Sequence, residues 1–333
     1  MSRTGFSLSG LDFRRREFKP ARLKPVLLEP MKRTDIRSAL RDAIAELERH
    51  DVPSPALNAE LILMHALGRD KVWVYAHPEQ ELSDIEQQQL SSLLARRASG
   101  VPLQHLTGHQ EFWGLEFEVT PDVLIPRPET EHVIEVALAA LGVADGVDSP
   151  RRRETFQIAD VGTGSGCIAI ALAHELSAAR IIATDISVAA LKVARRNAER
   201  HQVAARIDFE ECNLMDALLH QSPVTAHQSP LLDLIVSNPP YIGRHEAAAL
   251  QREVREHEPE LALYGGATGT ELYAPLISQT ARLLKPGGAL VLELGHRSGA
   301  HVRSLLAVGE WSGVELTRDL AGIPRVISAR RLS

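Results

Sequence analysis

Cysteine is almost missing from this chain: Cys167 and Cys212 are the two in 333 residues. No disulfide framework is implied, and a reducing cytoplasm is the expected compartment. No apolar run approaches the length of a membrane span, so a spanning protein is not expected. Positive charge is not in excess either. The 37 Lys and Arg stand against 43 Asp and Glu, for a formal charge of -6. That balance argues against a general nucleic-acid binder, because a phosphate backbone rewards a basic face. What is present is 44% apolar residues, enough for sizeable cores, in a length that allows two domains.

Residues 1–30 carry Arg3, Arg14, Arg15, Arg16, Lys19, Arg22 and Lys24 against Asp12, Glu17 and Glu29. They lack an apolar signal core and hold Pro20, Pro25 and Pro30, so a disordered tail is expected ahead of a domain starting at Met31. From there the pattern is helical. Ile36, Leu40, Ile44 and Leu47 form one apolar stripe. Ser54 before Pro55 reads as an N-cap, and Leu57, Leu61, Met64 and Leu67 run from it to Gly68. Ser83 and Glu86 form a capping box for a helix through Leu90, Leu93 and Leu94 that Gly100 closes. Residues 31–104 are thus read as a small helical bundle without clustered catalytic groups. Residues 105–130 are read as a hairpin connector, because residues 115–120 alternate apolar with mostly acidic positions. At its end Pro126 and Pro128 flank Arg127 and hold it and Glu129 stiffly, which suits residues lining a pocket.

The remainder, 131–333, alternates strand and helix signals, and one glycine loop stands out. Residues 157–161 read as a strand. Gly162, Thr163, Gly164, Ser165 and Gly166 follow, and then an apolar helix. Glycines there permit tight backbone geometry and let a ligand approach the helix start. A dinucleotide fingerprint would place a third glycine where Cys167 stands, so the spacing is instead Gly-x-Gly-x-Gly. A second strand, residues 180–185, ends in Asp185, placed to accept hydrogen bonds from two ribose hydroxyls. Together these suit S-adenosylmethionine. After a third strand, Cys212, Asn213 and Leu214 would reach the adenine edge and face.

The stretch most telling of chemistry is Leu-Asp-Leu-Ile-Val-Ser-Asn-Pro-Pro-Tyr-Ile, residues 232–242. Its first half fits a strand buried on both faces, and Pro239 and Pro240 stop that strand abruptly. The Asn238 side-chain carbonyl and a main-chain carbonyl freed at Pro239 or Pro240 are acceptors able to hold both hydrogens of a planar NH2 group. Tyr241 offers a ring to lie against it. This is the pattern of a pocket for a nitrogen nucleophile.

Residues 256–270 read as a mobile flap beside that turn, and residues 314–317 and 325–330 as a hairpin closing the sheet. His105 and His109 lie four apart, yet no cysteine or carboxylate cluster completes a metal set, and no metal is assigned.

The Asp-Val-Gly-Thr-Gly-Ser-Gly loop, Asp185, Val-Ser-Asn-Pro-Pro-Tyr-Ile and the upstream Leu-Ile-Pro-Arg-Pro-Glu-Thr-Glu together resemble the peptide chain release factor glutamine methyltransferases, the HemK/PrmC family. The resemblance runs from about Met31 to the C-terminus. It implies an α/β fold, a Rossmann-like class I S-adenosylmethionine-dependent methyltransferase domain behind a small N-terminal helical bundle domain that docks the protein substrate. It implies methyl transfer to the side-chain amide nitrogen of the glutamine in the Gly-Gly-Gln loop of release factors, with S-adenosyl-L-homocysteine as product. Gly162 to Gly166 and Asp185 would hold the donor. Asn238 would contact both donor and glutamine, with Pro239, Pro240 and Tyr241 completing the substrate pocket, beside Leu214 on the donor side and Arg127 and Glu129 as the pocket-lining residues read above from their own positions. Rival readings are a glutamine methyltransferase for a ribosomal protein, a DNA adenine amino methyltransferase, and a nicotinamide oxidoreductase or non-catalytic binding module. The Pro-Arg-Pro-Glu-Thr-Glu segment speaks against the first, the acidic balance against the second, and Cys167 with the Asn-Pro-Pro-Tyr turn against the last two.

Overall fold

A computed structural model describes residues 34–143, 149–220 and 232–332. The tail expected over residues 1–30 falls outside these residues.

Helices α1 (Ile36–Arg49), α2 (Pro55–Leu67), α3 (Lys71–Ala76), α4 (Asp84–Ala98) and α5 (Leu103–Thr107) form the N-terminal bundle. Its core is built by Ile36, Leu47, Ile62, Leu63 and Leu90; Ile36, Leu47 and Leu90 belong to the expected apolar runs, whereas α2 buries Ile62 and Leu63 in place of the expected Leu57, Leu61, Met64 and Leu67, of which Leu57 is exposed. The capping box at Ser83 and Glu86 is present. Ser54 holds the N-cap position ahead of Pro55, yet its side chain makes no capping hydrogen bond: its backbone is left-handed, φ 50°, and an N-cap oxygen reaches the helix from extended backbone.

A hairpin follows, β1 (His109–Phe112) and β2 (Leu115–Glu118), and it does more than connect. Phe112 and Phe117 are buried in the core of the larger sheet. The buried Asn197 amide binds both the N–H and the carbonyl of Glu118, at 2.8 and 3.0 Å.

The larger sheet contains β3 (Gln157–Val161), β4 (Arg180–Asp185), β5 (Ile207–Glu211), β6 (Leu232–Ser237), β7 (Leu284–Glu293), β8 (Trp311–Arg318) and β9 (Pro324–Arg331) in the order β5-β4-β3-β6-β7-β9-β8. Strand β9 runs opposite to the other six, which share one direction. One face is covered by α6 (Glu131–Ala140), α7 (Cys167–Glu175) and α8 (Val188–Arg200). The other is covered by α9 (Asp216–His220), α12 (Tyr273–Leu283) and α13 (Gly299–Leu306), with α10 (Arg252–His257) and α11 (Glu260–Leu263) lying between β6 and α12 in the chain. The register of β7 against β6 shifts between Leu232 and Leu234.

This order fixes where a ligand can bind. From β3 the chain winds outward through β4 and β5, then returns to lay β6 on the opposite side of β3. The crossovers therefore part at the carboxyl ends of β3 and β6, and the crevice left there is the usual ligand site of open α/β sheets. Val161 and Ser237 are paired at that point, and the Ser237 hydroxyl donates to the Val161 carbonyl at 2.7 Å.

Candidate active site

A cavity of about 300 Å³ opens over these strand ends, lined mostly by apolar surface. On the β3 side, Gly162, Gly164 and Gly166 have φ of 73°, 55° and 85°, all left-handed, a geometry that side chains rarely tolerate. The loop is braced from beneath. Gly162 and Thr163 both donate to the Thr184 carbonyl, at 2.8 and 2.9 Å. The fully buried Asp160 accepts from the Thr163 hydroxyl at 2.6 Å and from the Ala169 N–H at 3.1 Å. Burial pushes the Asp160 carboxyl up to about 7, and the nearby Asp185 charge adds to the rise. Asp160 thus organises the loop from below, while Thr163 and Ser165 reach the cavity wall.

Asp185 ends β4 at the cavity edge. It accepts from Gly164 N–H at 2.9 Å and from Ser187 N–H at 2.8 Å, one bond to each oxygen. Burial raises its carboxyl above the ordinary range. Each oxygen keeps a further lone pair, so the residue can still receive hydroxyls from the cavity. Cys212, Asn213 and Leu214 line the next wall. Leu214 has φ 53°, and its carbonyl accepts from the Thr184 hydroxyl at 2.7 Å.

On the β6 side, the side-chain NH2 of Asn238 donates to the Thr130 hydroxyl oxygen at 3.1 Å. Its carbonyl oxygen is left available toward the cavity, which Asn238, Pro239 and Pro240 all line. The Pro240 carbonyl packs against Gly265, where a Cβ would sit 2.2 Å from it. The Pro239 carbonyl is therefore the better second acceptor.

Two residues expected in the pocket stand elsewhere. The Tyr241 ring is absent from the cavity wall and packs over Gly295, where a Cβ would lie 3.0 Å from the ring. Its hydroxyl donates to Glu293 at 3.3 Å, and burial with the adjacent Glu293 charge raises its pKa strongly. The turn projects Asn238 and the prolines outward, and Tyr241, next in sequence, goes down into the core as its brace. Glu129 is likewise outside the wall and faces Arg325 at 3.8 Å. Arg127 does line the cavity, held by the buried Glu258 carboxylate, which also accepts from Ile125 N–H at 3.2 Å.

The stretch read as a flap is stitched to the turn. Ile242 N–H donates to Leu263 O, Gly265 N–H to Ile242 O, and Arg244 N–H to Gly266 O, each at 3.0 Å. With glycine at 265 and 269 the two backbones approach too closely for any side chain, so this segment forms a fixed wall. Helix α10, which runs into this segment, reaches the bundle, because its Glu253 pairs at 2.9 Å with Arg97, a buried residue of α4.

Residues that sequence reasoning passed over are Thr130, Glu258 and Glu293. Glu293 had a signal: it is the single acid in an otherwise apolar run, residues 289–294. Thr130 was hidden inside a segment whose charges drew attention instead.

This geometry is matched by likeness to known proteins. Residues 38–108 match the PrmC N-terminal domain and residues 149–266 the methyltransferase small domain. A release factor glutamine methyltransferase of Koribacter versatilis is 40% identical over 89% of this chain and 98% of its own length. The chain belongs to this family. Other members are the release factor glutamine methyltransferase of Nitratidesulfovibrio vulgaris, 42% identical over 89% of this chain and 95% of its own, and that of Bradyrhizobium diazoefficiens, 38% identical over 93% and 99%. Membership makes the large domain a methyltransferase domain, with its cavity at the strand ends where class I methyltransferases work. Among the described residues no helix is long and apolar enough to cross a membrane.

Proposed function

We propose that this chain methylates the side-chain amide nitrogen of the glutamine in the Gly-Gly-Gln loop of peptide chain release factors, with S-adenosyl-L-methionine as donor. The observation that carries the reading is the orientation of Asn238: its NH2 is spent on Thr130, so its carbonyl is the group offered to the cavity.

The residues present fit the donor. At Gly162 and Gly164 an added Cβ would meet nothing within 4 Å, so both glycines leave open space at the loop surface. Asp185 offers carboxylate oxygens beside it, and Leu214 an apolar wall. When bound, the donor supplies a sulfonium methyl as the electrophile.

An amide nitrogen is a weak nucleophile because its lone pair is delocalised. Asn238 Oδ1 and the Pro239 carbonyl can each accept one N–H of the substrate carboxamide, which fixes its plane and directs the nitrogen at the donor. As positive charge develops on nitrogen, both bonds strengthen, so they stabilise the transition state more than the ground state. The nitrogen needs no strong base before attack, because it sheds its surplus proton to solvent water once the methyl has transferred, and positioning supplies most of the rate. Arg127, anchored by Glu258, stands at the wall near an incoming loop. The bundle, tied by Arg97 to Glu253, is placed to dock the body of the release factor. The acting compartment is the reducing cytoplasm, consistent with two unpaired cysteines.

The test is mass spectrometry of release factor incubated with enzyme and donor. One methyl on the Gly-Gly-Gln glutamine is expected, and a methyl elsewhere, or none, would overturn the reading. Thermal stabilisation by S-adenosyl-L-homocysteine but not by NAD is the companion result.

A further inference from the structure

Beside Asn238 and the prolines, the carboxyl edge of the sheet carries a second built feature, the turn between β8 and β9. Strand β9 runs against both β7 and β8, so the end of β8 and the start of β9 lie at the same edge as the carboxyl ends of β3 and β6, where the cavity opens. Direct contacts join the turn to the site. Leu294 N–H, just past the end of β7, donates to the Arg325 carbonyl at 2.7 Å. The Arg325 guanidinium faces Glu129 at 3.8 Å, and the next residue, Thr130, holds Asn238.

At the tip of this turn Leu320 stands wholly in solvent, 106% exposed. A lone exposed leucine needs no explanation on most surfaces. Two observations set this one apart, and the first is rigidity. One Asp319 carboxylate oxygen accepts from the N–H groups of Ala321 and Ile323, both at 2.9 Å, and the other from Arg325 Nε at 2.8 Å. Asp319 N–H donates to the Ile323 carbonyl and Gly322 N–H to the Asp319 carbonyl, each at 2.9 Å, and the Arg318 guanidinium donates to the Gly322 carbonyl at 2.6 Å. A loop bonded within itself in this way presents its apolar tip in one conformation, so little ordering entropy is lost when a partner covers it.

The second observation is placement. Among the described residues, the exposed large apolar side chains of the larger domain are Ile186, Val188, Leu261, Val308, Leu320 and Leu332. Ile186 and Val188 follow β4, Leu261 follows β6 and lines the cavity, and Leu320 follows β8, all at the carboxyl edge. Val308 and Leu332 lie at the opposite edge, before β8 and after β9. The glycine loop and Asp185 occupy the β3 and β4 side of the mouth, so Leu320 flanks the other side, from which a substrate carboxamide reaches Asn238.

We propose that the turn between β8 and β9, with Leu320 as its tip, is a docking contact for the release factor domain that carries the Gly-Gly-Gln loop. The inference rests on the proposed function, and the occupant follows from continuity with the cavity. A protein whose loop enters there must lay its flanks on the rim of the carboxyl edge, and Leu320 is the exposed large apolar side chain of that rim beyond β7. An apolar hollow on the partner takes up the leucine. The contact serves binding alone, since residues 319–323 are not among those lining the cavity.

The experiment compares wild type, Leu320→Met, Leu320→Ala, Leu320→Asp and Val308→Asp with whole release factor as substrate. A side chain wholly in solvent has no packing to lose, so the Leu320 variants should keep the wild-type stability, which thermal unfolding checks. Leu320→Asp should raise KM for release factor about tenfold or more, and Leu320→Ala about threefold to tenfold, because apolar area that the partner covers is lost. Binding lost equally from ground and transition states leaves kcat at saturation unchanged, and donor affinity by calorimetry should hold as well. Leu320→Met, apolar and close in volume, should stay within about twofold of wild type. Val308→Asp puts the same charge on an exposed apolar site at the far edge and should match wild type. Titration of release factor into enzyme loaded with S-adenosyl-L-homocysteine should give the same ranking in Kd. Wild type that leaves release factor unmethylated would overturn the proposed function, with the Kd series still judging the contact. Wild type that methylates it while Leu320→Asp keeps KM and Kd would overturn the contact alone, as would a lowered kcat with KM unmoved or an equal defect in Val308→Asp. A wild-type dimer that Leu320→Asp dissociates would give the tip to a second copy of this chain and overturn the inference as well.

Discussion

Replacing the three loop glycines by alanine, one at a time, separates what the loop does for the fold from what it does for the donor. All three have left-handed φ, where an L side chain costs about 1–2 kcal/mol. At Gly162 and Gly164 that is the whole structural penalty, since an added Cβ meets nothing within 4 Å. Gly166 differs. It starts α7 where α8 crosses it, and a Cβ there would lie 3.0 Å from Ile170 Cδ1, 3.1 Å from Ala194 Cβ and 3.3 Å from Ala194 Cα. A backbone atom cannot step aside, so overpacking of about 1–3 kcal/mol adds to the strain. The sum for Gly166→Ala is roughly 2–5 kcal/mol against about 1–2 for the others. Function should rank the other way. Gly164→Ala puts its methyl into the open side of the cavity and should weaken donor binding about tenfold or more, worth roughly 1.4 kcal/mol. Urea unfolding and donor calorimetry on the three variants supply both readouts. If Gly164→Ala binds donor like wild type, or if Gly166→Ala is no less stable than Gly162→Ala, the assignment of roles within the loop is wrong.

Asn238→Ala should lower kcat with release factor by about 10²–10³ while donor affinity stays within a few fold, because the lost acceptor acts in the transition state; substantial residual turnover would contradict the mechanism. Asp185→Asn should chiefly weaken donor binding in calorimetry and leave kcat at saturating donor nearly intact. The buried acids carry a stability signature with a definite sign. Asp160 rises from 3.8 to about 7 and Glu293 from 4.5 to about 7, so each favours the folded state when protonated. That contribution is complete below about pH 4 and is lost as pH climbs through about 7, on the order of 3–4 kcal/mol per group. Denaturant unfolding of Glu293→Gln should therefore show a stability gain over wild type that grows from pH 5 to pH 8, as flagged by roughly that window of titration. A gain that shrinks over the same window would contradict the placement of this acid.

Short-range signals in the sequence determined a good deal. Strand-stopping prolines after an apolar run, three glycines spaced by two, and an acid at the next strand end are local features whose geometry follows from φ preferences and from the missing N–H of proline. They located the turn, the loop and the β3 side of the cavity. Apolar spacing likewise marked the bundle, although α2 buries Ile62 and Leu63 in place of the expected face, and Ser54 makes no capping bond for a local reason, a backbone turned left-handed. Relations between distant strands were decided only by the tertiary structure. Thr130, Asn238 and Glu293 stand far apart in sequence and come together because β6 and β7 lie side by side with the turn before α6 above them. Tyr241 turned inward for the same reason, as the neighbouring strand offered Gly295 for its ring and Glu293 for its hydroxyl. A residue's type records what it can donate or accept, but which partner receives it depends on chain crossings that no short window of sequence contains.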